Sequence, residues 1–257
     1  MKKVLMKCGG STLEELSTDF FTSLHELKNH GYAIIIVHGG GPDINNMLEQ
    51  LNVEPEYVNG LRKTNEETFN VVEMVLSGKT NRKLVQKLTT NGLKAIGLNG
   101  SDLEMLKGDY VDQDRLGLVG DIQEVKTDIL QMLIEKDIIP VITPIAITDI
   151  GQKLNVNADY AAAAVANALA VDHCLFVTDV EGIMIDGKVQ ESLTLDEVKQ
   201  YIESGEIYGG MIPKVNSSLS AIEKGIESVR IVSGKKIFFQ EEKWYGTQIF
   251  EKERVVK

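Results

Sequence analysis

Twice near its start the chain runs an apolar segment straight into glycine and then into a helical pattern. Val4–Cys8 reads as a strand, is followed by Gly9-Gly10-Ser11, and gives way to helical spacing from about Leu13 to Asn29. Ala33–Val37 reads as a β-branched strand, followed by His38-Gly39-Gly40-Gly41-Pro42 and a helix to about Leu51. Such βα repetition predicts a parallel sheet covered by helices on both faces, an α/β architecture.

The rest of the chain keeps most of that rhythm. A long helical stretch runs from Glu66 to about Thr90 and stops at Asn91-Gly92, a helix-ending signal. Ala95–Leu98, Ile138–Thr143, Asp172–Thr178 and Ser228–Val232 continue the sheet. Ala158–Leu169 is an alanine-rich helix, apolar nearly all round, which predicts burial. Helical patterns also fall near Thr194–Glu203 and Ile212–Lys224, and Gly182–Gly187 reads as a turn. Between Ser101 and Lys126, Gly108, Gly117 and Gly120 punctuate short alternating segments, which suggests a hairpin excursion. No linker, repeat array or low-complexity tract interrupts the 257 residues. Two lobes sharing one continuous sheet are expected rather than two separable domains.

Glycines at a strand's carboxyl end let backbone N–H groups approach an anion, and the helix N-terminus that follows favours negative charge. One such junction is equally well explained as a tight turn. Two on neighbouring strands, with Lys7 at the end of one, point to phosphate. Asn155-Val156-Asn157-Ala158-Asp159 opens the buried helix; these side chains could cap it, yet three alternating polar groups exceed that need and would share one face of an extended chain. In Gly210-Met211-Ile212-Pro213-Lys214, a lysine just inside a helix start opposes the dipole, which becomes useful if an anion sits there. Asn59-Gly60-Leu61-Arg62 reads as a turn and short strand, and Arg62 there suits a bidentate clamp on a carboxylate, although a surface ion pair is the commoner use. His38, between a strand and glycines, reads as a hydrogen-bonded structural histidine.

Two familiar nucleotide motifs are absent. Gly78-Lys79-Thr80 resembles the end of a P-loop, but Glu73 occupies the upstream glycine position and the segment lies within a helical pattern. The Gly39-Gly40-Gly41 run has Ile44 where a dinucleotide fingerprint needs glycine. A net charge of −11 argues against a nucleic-acid surface, and no run of about 18 apolar residues predicts a membrane span. Cys8 and Cys174, both in predicted buried strands, read as reduced core thiols of a cytoplasmic protein.

Taken in order, Lys7-Cys8-Gly9-Gly10, Val37-His38-Gly39-Gly40-Gly41, Asn59-Gly60-Leu61-Arg62, Leu154-Asn155-Val156-Asn157-Ala158-Asp159, Thr178-Asp179-Val180-Glu181-Gly182 and Gly210-Met211-Ile212-Pro213-Lys214-Val215 closely resemble the amino-acid kinase family. The Asn-Gly-Leu-Arg and Asn-Val-Asn-Ala-Asp segments are similar to the branch acting on N-acetyl-L-glutamate. The resemblance implies a three-layer αβα sandwich with an open, mainly parallel central sheet, forming a single domain over residues 1–257. Its approximate lobes would be 1–170, for acyl amino acid binding and dimerisation, and 171–257, for ATP. The implied reaction is ATP-dependent phosphorylation of the side-chain carboxylate of N-acetyl-L-glutamate to the 5-phosphate, in arginine biosynthesis.

The same resemblance assigns roles. Gly40, Gly41, Arg62 and Asn155 would hold the acyl amino acid. Asp179, Val180, Glu181, Gly182, Ile183 and Met184, with Glu206, Ile207 and Tyr208, would line the nucleotide. Lys7 and Lys214 would stabilise the transferring phosphoryl group, Asp159 would orient both lysines, and the N–H groups of Gly10 and Gly40 would contact phosphoryl oxygens. Mg²⁺ would be held mainly by ATP and water, without a protein metal cluster. Alternatives are a related kinase acting on another carboxylate, carbamate or a nucleoside monophosphate, and a non-catalytic nitrogen sensor. Arginine-inhibited members carry an extra amino-terminal helix that builds a hexamer. With the first strand starting at about Lys3, a homodimer insensitive to L-arginine is expected.

Overall fold

The computed structural model describes residues 1–251. Its centre is an eight-stranded sheet, ordered Ser192–Thr194, Thr247–Phe250, Ser228–Ser233, His173–Thr178, Lys2–Cys8, Tyr32–His38, Ile139–Thr143 and Ala95–Asn99. All neighbouring pairs are parallel except Ser228–Ser233 against Thr247–Phe250, so one edge runs opposite to the rest. Those two edge strands were not foreseen from the sequence as part of the sheet, because each is short.

The period-two alternation of the strands explains the three layers. Along Lys2–Cys8, Val4, Met6 and Cys8 enter one apolar core while Leu5 enters the other. Along Tyr32–His38, Ile34 and Ile36 go to the first and Ala33, Ile35 and Val37 to the second, and no residue of this strand is exposed. Each such fully buried aliphatic side chain contributes about 1.5–3 kcal/mol of transfer free energy. Helices Thr18–Asn29 and Asn81–Thr90 cover one face. Ala158–Leu169, Met211–Glu223 and Asp128–Glu135 cover the other.

Two expected helices are more broken than their periodicity suggests. In place of one helix from Leu13 there is a 3₁₀ turn at Thr12–Glu15, a break at Leu16, and a helix over Thr18–Asn29. Ser17 makes the break: its hydroxyl accepts from Phe20 N–H and its own N–H donates to Gly234 O at 3.0 Å. The Glu66–Thr90 stretch contains a π-helix over Met74–Thr80 between its two α-helical parts. The hairpin excursion is present as Leu106–Tyr110 against Val119–Val125 and closes a small barrel with Ile145–Ile147 and Lys153–Val156.

Successive connections from Lys2–Cys8 proceed toward one edge of the sheet, and those from His173–Thr178 toward the other. These two strands lie side by side, with Cys8 opposite Val177. A crevice outside the carboxyl ends of parallel strands at such a reversal is where open α/β sheets bind ligands.

Candidate active site

The two glycine junctions touch at that crevice. Gly39 N–H donates to Cys8 O at 2.9 Å and ties one loop to the end of the adjacent strand. A Cβ on Gly10 would stand 2.8 Å from Gly40 Cα, and one on Gly40 would stand 2.5 Å from Leu76 Cδ2. At Gly10 the obstacle is backbone and cannot turn aside, whereas at Gly40 the Leu76 side chain would have to move. The N–H groups of Gly10 and Gly40 have no hydrogen-bond acceptor among the described residues.

Beside Gly40 lies a cavity of about 190 Å³ that brings Gly40, Gly41, Arg62 and Asn155 together from three separate segments. Arg62 follows the Asn59-Gly60 turn, whose φ values of 51° and 79° match a tight two-residue hairpin between Tyr57–Val58 and Leu61–Arg62. Its guanidinium is stacked 4.8 Å from the Tyr57 ring centroid and donates through Nη2 to Asn45 Oδ1 at 2.5 Å. Nη1 is buried without a partner. Burial lowers the guanidinium pKa, and a desolvated donor left unpartnered beside a cavity suits an anion. Asn155 is held by a hydrogen bond from Nδ2 to Thr64 Oγ1 at 3.1 Å, and Thr64 Oγ1 in turn donates to Arg62 O at 2.7 Å. Asn45, Tyr57 and Thr64 were not singled out from the sequence. Each is an ordinary polar or aromatic residue whose relation to Arg62 exists only after folding.

The alanine-rich helix Ala158–Leu169 explains the acidic group. Ala161, Ala162 and Ala163 are fully buried, so the helix packs closely against the sheet and its first turn sits over Lys2–Cys8. Asp159 Oδ1 then reaches Lys7 Nζ at 2.7 Å, with side-chain exposures of 14% and 15%. Asn157 is the cap, accepting from Asp159 N–H at 2.7 Å. Asn155, Asn157 and Asp159 therefore do not share one extended face, because the helix begins at Ala158.

Lys214, in the first turns of Met211–Glu223, pairs with Asp179 at 2.8 Å rather than with Asp159. This corrects the expectation that Asp159 would orient both lysines. Asp179 directly follows His173–Thr178, and its carboxyl pKa is lowered first by the hydrogen bond from Lys214. The two lysines thus stand on either side of the strand reversal, each with its own carboxylate.

The expected nucleotide segments are of mixed character. Ile183 and Ile207 are buried in the apolar core, while Met184 and Tyr208 are 53% and 74% exposed. Val180 packs against that same core, and Glu181 borders a shallow depression with Tyr245. Gly182 lies so close to Thr247 and Val189 that a Cβ would stand 2.6 Å from Thr247 Oγ1. Glu206 is exposed. Met184–Ile185 and Lys188–Val189 form a hairpin across the expected turn.

His38 is fully buried, with Nδ1 3.1 Å from Gly39 O and Nε2 3.0 Å from Asn81 Nδ2. It has the structural environment its position suggested. Gly78-Lys79-Thr80 lies inside the π-helix and does not directly follow a strand.

A parallel sheet with a ligand crevice at its reversal, glycine-lined strand ends and two opposed lysines define a class. The chain belongs to the amino acid kinase family, whose model matches residues 2–233. It is 49% identical over 255 residues to the acetylglutamate kinase of Bacillus velezensis, covering 99% of each chain. The acetylglutamate kinase of Geobacillus kaustophilus is 48% identical over 248 residues, covering 96% of each. Among solved structures, smu.665 from Streptococcus mutans UA159 superimposes with a TM-score of 0.82 at 32% identity, over 97% of this chain and 99% of that one.

Proposed function

We propose that the protein transfers the γ-phosphoryl group of ATP to the side-chain carboxylate of N-acetyl-L-glutamate, a step of arginine biosynthesis. The observation that carries this reading is Arg62: a buried guanidinium with Nη1 unpartnered, on a residue that lines the same cavity as Gly40, Gly41 and Asn155. A planar fork beside such a cavity suits a carboxylate. The relatives named acetylglutamate kinase support the acceptor.

The nucleophile is the substrate's own ionised carboxylate, so no general base and no covalent enzyme intermediate are needed. The protein's task is alignment and charge neutralisation. Arg62 and Asn155 hold the acceptor. Lys7, kept in place by Asp159, and Lys214, kept by Asp179, neutralise charge on the transferring group from the two sides of the sheet reversal. The free N–H groups of Gly10 and Gly40 donate to its oxygens. Mg²⁺ bound with ATP supplies further charge neutralisation. Asp159 and Asp179, each already paired with a lysine, fit the role of orienting cations, and the ion would be held mainly by the nucleotide and water.

In this reading residues 1–170 take the acyl amino acid and carry a dimer surface, and residues 171–257 take the nucleotide, along Asp179–Met184 and Glu206–Tyr208. The two free buried cysteines and the edge strand Ala95–Asn99, with Ile96 41% exposed, are in keeping with a cytoplasmic homodimer. Among the described residues no helix is long and apolar enough to cross a membrane.

The test is ATP turnover across a panel of N-acetyl-L-glutamate, L-glutamate, N-acetyl-L-aminoadipate and carbamate. The acyl phosphate is trapped as hydroxamate, and carbamate turnover is followed by ADP release. The highest kcat/KM is expected with N-acetyl-L-glutamate; a higher value with another acceptor, or none with any, overturns the reading.

A further inference from the structure

The buried polar group that the proposed chemistry leaves unused is His38, and a chain of hydrogen bonds connects it to Gly40. Asn81 Nδ2 donates to Val141 O at 2.8 Å. A backbone carbonyl can only accept, so the orientation of this amide is unambiguous. The second hydrogen of the same Nδ2 faces His38 Nε2 at 3.0 Å, and the hydroxyl of Thr143 lies 3.3 Å from that nitrogen. Nε2 is therefore the acceptor and carries no proton. The ring proton resides on Nδ1, which stands 3.1 Å from Gly39 O and donates to it.

Gly39 O and the Gly40 N–H belong to one trans peptide and point in opposite directions. Holding the carbonyl toward the imidazole turns the N–H away from it. The other polar groups nearby are committed: Gly39 N–H donates to Cys8 O and Gly40 O accepts from Ile44 N at 2.9 Å each. The Gly40 N–H, like that of Gly10, has no acceptor among the described residues, and it stands at the edge of the cavity that Arg62 lines.

We infer that His38 is a positioning residue for phosphoryl transfer: as its Nδ1–H tautomer, selected by Asn81, it fixes the Gly39–Gly40 peptide so that Gly40 N–H faces the reacting phosphoryl group. This rests on the proposed function, since it needs an anion at Gly40. An imidazole that merely filled space would serve equally well in either tautomer. This one is specified through Asn81, from the helix Asn81–Thr90, and through Val141 and Thr143, from the strand Ile139–Thr143.

Two variants and one spectrum test the inference. His38→Asn keeps an N–H donor close to the position of Nδ1, whereas His38→Leu fills the space without one. The expected result is a kcat within about threefold of wild type for His38→Asn and a loss of about tenfold or more for His38→Leu, in line with misdirecting one oxyanion donor. KM for N-acetyl-L-glutamate should change little in both, because the N–H acts on charge developed in the transition state. Equal losses in the two variants, or a loss confined to KM, overturn the inference. Should His38→Leu not fold, the ¹⁵N spectrum of the wild-type imidazole decides instead. Nδ1 protonated with Nε2 bare is expected, and the opposite tautomer overturns the inference. A wild-type protein with no turnover on N-acetyl-L-glutamate would sink the proposed function, while the tautomer measurement would still report on the hydrogen-bond chain.

Discussion

Lys7 Nζ and Asp159 Oδ1 lie 2.7 Å apart, one from the first strand and the other from the first turn of the alanine-rich helix that packs on it. Each side chain is about one-seventh exposed, with exposures of 15% and 14%. A lysine so placed is held by one carboxylate and open to an anion at the glycine junction next to it.

Lys7→Ala and Lys214→Ala should each lose about 2–4 kcal/mol of transition-state stabilisation, read as a fall in kcat, with cooperative unfolding retained. Steady-state kinetics beside thermal melts provide the check. Near-normal turnover in both variants would remove the two lysines from the mechanism.

Arg62→Lys should raise KM for the acceptor about tenfold or more and leave KM for ATP nearly unchanged. An ammonium cannot reproduce a fork that stacks on Tyr57 and bonds Asn45 while keeping a second edge for substrate. Comparable damage to both KM values would place Arg62 outside the acceptor site.

Gly10→Ala tests the contact between the two junctions. Its Cβ would lie 2.8 Å from Gly40 Cα and 3.0 Å from Gly40 N, backbone atoms that cannot rotate away. The loops must separate, at a cost of about 1–3 kcal/mol in stability and with a fall in kcat. A variant with wild-type stability and rate would show that the junctions are not in contact.

His38 also leaves a mark on stability. Burial first, with Arg82 nearby, lowers its pKa from 6.5 to about 4, against the opposing hydrogen bond to Gly39. The unfolded state then binds the proton more tightly, so this contribution is fully present above about pH 6.5 and is lost as pH falls toward about 4. The loss is on the order of 3 kcal/mol at most, from about 1.4 kcal/mol per pH unit. Denaturant melts of wild type and His38→Asn between those pH values should converge as the pH drops; parallel curves would contradict the assignment.

Cys8 and Cys174 should resist a thiol reagent at pH 8 in the folded protein and react at once in denaturant. Burial pushes both thiols up to about 12, so almost no thiolate is present at that pH. Rapid labelling of the native protein would show that one of these strands opens.

What the sequence by itself determined was local. Apolar periods of two and of three to four residues, interrupted by glycine, set the strands, the helices and the junctions where Gly10, Gly40, Arg62 and Asn155 sit. The Asn59-Gly60 turn was legible for the same reason, since positive φ at consecutive residues leaves few choices of residue. Tertiary structure decided the partnerships. Asp159 goes to Lys7 and Asp179 to Lys214 because strand order places His173–Thr178 next to Lys2–Cys8, and no period in the chain encodes which carboxylate meets which lysine. The tautomer of His38 depends on Asn81, Val141 and Thr143, and the open edge of Arg62 on Asn45 and Tyr57. Such contacts join segments distant in sequence, and their geometry is fixed only when the sheet is assembled and its helices are packed.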